Sequence, residues 1–168
     1  HASYRRQRQM CIRDRFNIGK LGKFPGTIAS AITSFLYIFF FYFKVHYLTL
    51  FLIFLLLLLV SIYFINLLKD EFEEIDSKEI VIDEYLGQSI PILFFYVILF
   101  EASVSINFFM IIVLISFIGF RFFDILKPYP ISYIDNNYKN GFGVVFDDIV
   151  AGIFTTIVLY IFCLLYTS

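Results

Sequence analysis

Five apolar runs, at about residues 28–43, 47–67, 89–100, 106–120 and 144–164, constrain this chain more than any single motif. A helix needs about 20 apolar residues to cross a bilayer, and inside lipid the backbone can bond only to itself. The predicted fold is therefore all-α, a polytopic membrane helical bundle of about five apolar helices. With 60% hydrophobic and 16% charged residues, the runs are too continuous to be amphipathic faces around one soluble core. The break at Lys44-Val45-His46 predicts that the first two runs form a hairpin. The third and fourth runs are short, so they tilt, or the third begins further back, near Tyr85.

The two ends have a different character. Residues 1–15 carry a basic block with no apolar stripe, Arg5-Arg6-Gln7-Arg8-Gln9-Met10-Cys11-Ile12-Arg13-Asp14-Arg15, and read as a non-native or linker-derived tail. The closing residues, Cys163 to Ser168, look similar, and a start at His1 in place of Met is what a fragment would show. Residues 16–168 are then expected to form a single membrane domain.

Charge in the remainder is sparse and placed at the edges of the runs. Gly119-Phe120-Arg121-Phe122-Phe123-Asp124-Ile125-Leu126-Lys127-Pro128 ends one of them, and in a helix Arg121, Asp124 and Lys127 would share a face until the prolines end it. Membrane anchors are mostly lysine or arginine alone, so the interleaved carboxylate points to a site. Asp83-Glu84 and Asp147-Asp148 are acidic pairs set into apolar sequence, where burial is costly unless a cation meets them. The loop Gly22-Lys23-Phe24-Pro25-Gly26-Thr27 runs into the first helix, with Thr27 as expected N-cap and Lys20 and Lys23 beside it. The six carboxylates between Asp70 and Glu79 read as a solvated connector. With five spans, Lys20, Lys23, Lys69, Lys78, Arg121, Lys127 and Lys139 fall on the motif side and Lys44 alone on the other, which predicts a cytoplasmic site.

These residues narrow the chemistry. Carboxylates without histidine or cysteine suit Mg²⁺ better than Zn²⁺, and cations beside them suit a phosphoryl group. Cys11 and Cys163 have no phosphate-binding arginine loop after them, His1 and His46 lie outside every motif, and there is no phosphate-cradling glycine loop ending in Lys-Ser or Lys-Thr. A net charge of −1 provides no basic field for nucleic acid. The rival reading is a cation or proton transporter using the acidic pairs as a relay, which does not account for charges gathered at one face beside Arg121 and Lys127.

Four blocks in order, the Gly22–Thr27 loop, Ile80-Val81-Ile82-Asp83-Glu84-Tyr85-Leu86-Gly87, Phe120-Arg121-Phe122-Phe123-Asp124-Ile125-Leu126-Lys127-Pro128-Tyr129-Pro130-Ile131 and Gly143-Val144-Val145-Phe146-Asp147-Asp148-Ile149-Val150-Ala151-Gly152, resemble the bacterial phosphatidylglycerophosphatase A family. The resemblance covers about residues 18–162, with Tyr129 in place of an expected tryptophan and one glycine, Gly141, before Phe142 where two are common. It implies a Mg²⁺-dependent phosphatase of the bacterial inner membrane that converts phosphatidylglycerophosphate to phosphatidylglycerol at the cytoplasmic face. On that reading Asp83, Glu84, Asp147 and Asp148 hold Mg²⁺, and Asp124 is a further ligand or the partner of Arg121. Arg121, Lys127, Lys23 and Thr27 would then bind the substrate phosphate.

Overall fold

The computed structural model describes residues 25–68, 82–133 and 141–167. Lys20, Lys23, the acidic connector and residues 1–15 lie outside the described residues. Among the described residues the long helices, in chain order, are α1 (Pro25–Tyr42), α2 (Tyr47–Leu68), α3 (Ile82–Glu101), α4 (Ile106–Leu126) and α5 (Gly141–Thr167). No strand occurs among the described residues. Three of the helices, α3, α4 and α5, are long and apolar enough to cross a membrane, and α1 and α2 supply shorter apolar stretches. Large apolar side chains such as Phe35, Leu52, Leu59, Ile118 and Phe162 face outward, as lipid rather than water would require.

Three boundaries differ from the sequence expectation. The third helix begins at Ile82, so Asp83 and Glu84 occupy its first turn, where the partial positive charge of a helix N-terminus favours carboxylates. Helix α1 begins at Pro25, a residue suited to a first helical position, which makes Thr27 a first-turn residue rather than the N-cap. Helix α5 runs on through Thr167, so most of the closing segment set aside above continues a regular helix.

At one end the helices are joined by two tight turns of the same kind. Lys44 and Ser103 take left-handed backbone conformations. Around them Val45 N–H donates to Phe40 O at 3.0 Å and Lys44 N–H to Phe41 O at 3.1 Å, while Val104 and Ser103 bond likewise to Leu99 and Phe100 at 3.2 Å. This double bonding satisfies carbonyls that a helix end leaves free. Tyr96 ties the first turn to α3 by donating its hydroxyl to Val45 O at 2.6 Å. The main core lies in this half, with Tyr37, Phe41, Ile92, Tyr96, Phe109 and Val113 at its centre.

Helix α3 sits in the middle and packs against each of the other four, most extensively α5. Small residues explain that closest pair. The carbonyl oxygen of Gly87 lies where a Cβ on Gly152 would be, and a Cβ on Gly87 would come within 2.7 Å of Asp148 O. Pro91 contributes, because it has no N–H to give the Gly87 carbonyl four residues earlier. That carbonyl lies close against Gly152, where a Cβ would clash with it, the small-residue approach common between membrane helices.

Candidate active site

The motif residues meet at the opposite end, where α1, α3 and α5 begin and α4 finishes. Asp83, Glu84 and Asp148 each offer a carboxylate oxygen, and these oxygens all lie within 4.8 Å of one another. Asp83 and Asp148 are buried, at 9% and 5% exposure, and Glu84 is half-buried. Three carboxylates so close in a low-dielectric interior repel strongly unless a multivalent cation or several donors meet them. The all-oxygen donor set and its spacing fit a hard divalent ion.

Asp147, expected as a ligand, stands outside that trio and accepts from Lys127 Nζ at 2.8 Å. Neighbours on a helix point about 100° apart, so Asp148 facing α3 turns Asp147 toward α4. In each acidic pair the first aspartate also takes the backbone N–H of the second residue, at 3.0 Å for both Asp83 and Asp147.

The cations are held in the same way. Arg121 Nη1 lies 2.6 Å from Asp124 Oδ2, one turn apart on α4. Lys127 does not continue their stripe as sequence reading expected. The helix stops at Leu126, and Lys127 takes a left-handed conformation (φ 40°, ψ 56°) with its N–H on Phe123 O at 2.9 Å. This turn carries its ammonium across to α5, and Pro128 follows, as proline often does after such an end. Ile131, buried beside Phe120 and Ala151, anchors the chain beyond it.

Gly26 closes the site from α1. A Cβ there would overlap Glu84 Oε1 and come within 3.1 Å of Arg121 Nη1, so glycine leaves room for both side-chain ends where they stand. Half-buried Thr27 is the next residue. Gly26→Ala is expected to displace the Glu84 carboxylate, which can yield, and to lower activity about a hundredfold with little loss of thermal stability. Activity and melting in detergent check this, and a variant of unchanged activity would remove Glu84 from the site.

A helical bundle with three helices long and apolar enough to cross a membrane gathers at one end a carboxylate trio spaced to suit a metal ion and two cation–carboxylate pairs. The chain belongs to the phosphatidylglycerophosphatase A family, which it matches over residues 11–163. It is 40% identical over 85 residues to phosphatidylglycerophosphatase A of Haemophilus influenzae, covering 51% of this chain and 46% of that protein. Over 44 residues it is 46% identical to the Escherichia coli protein of that name, covering 26% of each. A Bacteroides thetaiotaomicron protein, provisionally named a phosphatidylinositol-3-phosphatase, is 34% identical over 85 residues, covering 50% of this chain and 47% of the relative. The matched part thus spans about half the length of the relatives, or less. No solved structure matches.

Proposed function

We propose that this protein is a Mg²⁺-dependent lipid phosphatase that releases phosphate from phosphatidylglycerophosphate, yielding phosphatidylglycerol, at the cytoplasmic face of a bacterial inner membrane. The observation that carries the reading is the trio Asp83, Glu84 and Asp148 set beside two cations. These three carboxylates would hold Mg²⁺, which supplies charge withdrawal from the phosphoryl group and a lowered pKa for attacking water. Arg121 and Lys127 bind the phosphate oxygens, each oriented by its own partner, Asp124 and Asp147. Thr27, next to Gly26 in the first turn of α1, would add a hydroxyl to the phosphate cradle, and Lys23 keeps the phosphate-binding role that the sequence resemblance implies. In the reaction water gives its oxygen to phosphorus, the bond to the glycerol oxygen breaks, and that oxygen leaves protonated. The gathering of the acids at one end of the bundle favours hydrolysis over a proton or cation relay, which would line a path through it. The lysines on the motif side support the cytoplasmic orientation.

Phosphate release in detergent micelles tests the reading, with phosphatidylinositol 3-phosphate as a parallel substrate because one relative carries that name. Release from phosphatidylglycerophosphate that stops with chelator and returns with Mg²⁺ is expected. Faster release from the inositol lipid would change the substrate, and no release from folded protein would overturn the assignment.

A further inference from the structure

Glu84 keeps one carboxylate oxygen unpartnered. Its Oε2 is buried with no hydrogen-bond partner. Four residues further along α3, and so on the same face one turn deeper, lies Gln88. Gln88 is fully buried, at 0% exposure, and neither its amide nitrogen nor its amide oxygen has a partner. Most other buried polar side chains here are provided for within their own helix: Ser30, Thr33, Ser34 and Thr155 each donate to the carbonyl four residues earlier, at 2.8–2.9 Å. A wholly buried amide with no partner contributes nothing to the fold that an apolar side chain of its size would not do better. Its chemistry fits the orphaned oxygen one turn away, since an amide N–H donates well to a carboxylate at this helical spacing.

We infer that Gln88 is a positioning residue for Glu84: its Nε2–H donates to Glu84 Oε2 when Glu84, Asp83 and Asp148 close on a divalent cation. The inference rests on the metal reading above. Held by Gln88, the Glu84 carboxylate would be fixed in one rotamer toward the ion. Outer contacts of this kind commonly set metal affinity.

Mn²⁺ serves as the probe, titrated into the full chain in detergent and followed by the loss of the free-ion paramagnetic resonance signal. Gln88→Met, close to isosteric and apolar, is expected to weaken Mn²⁺ binding about 10- to 100-fold. Its melting temperature in chelator should be equal to or above that of the parent. In a Glu84→Gln background the same change should weaken binding less than about twofold, because the two residues act through one contact. Binding unchanged in Gln88→Met, or weakened equally in both backgrounds, would overturn the inference. So would a fall in metal-free melting in both Gln88→Met and Gln88→Leu, which would make the amide a packing element. A parent chain that binds no Mn²⁺ would instead bring down the metal reading, and the inference with it.

Discussion

Asp148→Asn is expected to cut phosphate release about a thousandfold and, at the same time, to leave the metal-free protein at least as stable as the parent. Asp148 is buried within a carboxylate trio whose oxygens lie within 4.8 Å of one another. Without a cation, three like charges in an apolar helical interior oppose folding, and the asparagine amide relieves one of them while keeping the side chain's size. With a cation the sign reverses. An ion at a hundred times its dissociation constant adds about 2.7 kcal/mol to the folded state, and a site lacking one charged ligand loses most of that. The chemical step loses more, since charge withdrawal by the ion contributes several kcal/mol and each 1.4 kcal/mol is about tenfold in rate. Two measurements check this: phosphate release at saturating Mg²⁺, and melting in detergent with Mg²⁺ or chelator. Activity within tenfold of the parent, or a variant less stable than the parent in chelator, would take Asp148 out of the ion site.

The sequence was most informative where one physical constraint acted alone. Run length against bilayer thickness predicts five apolar helices, and the cost of burying carboxylates marks Asp83-Glu84 and Asp147-Asp148, three of which (Asp83, Glu84 and Asp148) prove to meet between α3 and α5. Sequence reading missed what depends on how helices are rotated and spaced. Periodicity states which residues share a face of one helix but not which face meets a neighbour, so Asp147 could not be separated from Asp148 or matched with Lys127. Lys127 reads as the third member of a helical stripe because nothing before Pro128 signals that Leu126 is the last helical residue. Gly26 against Glu84, and Pro91 freeing the Gly87 carbonyl for Gly152, are contacts between segments far apart in the chain. The glycines were visible as glycines, and their partners were not.

Gly152→Leu is expected to prevent α3 and α5 from docking, with loss of both the cooperative melting transition and activity. Gly152→Ala should lower stability by about 1–3 kcal/mol. The position of a Cβ on Gly152 is already taken by the Gly87 carbonyl oxygen, with Ile90 Cβ 3.2 Å away. Backbone cannot yield as a flexible side chain can, so even one methyl group must push the helices apart. The separation falls on the residues that matter for chemistry, because Asp83 and Glu84 lie less than two turns before Gly87 and Asp148 one turn before Gly152. An alanine variant that still folds should therefore lose Mg²⁺-dependent stabilisation along with activity. Gly119→Ala is the control: its Cβ would meet Thr155 Cγ2 at 3.0 Å, a side-chain methyl on the α4–α5 contact that can shift slightly. Melting in detergent with and without Mg²⁺ separates the two positions. If Gly152→Ala were as mild as Gly119→Ala in both conditions, the spacing of α3 and α5 would not be what assembles the carboxylate trio.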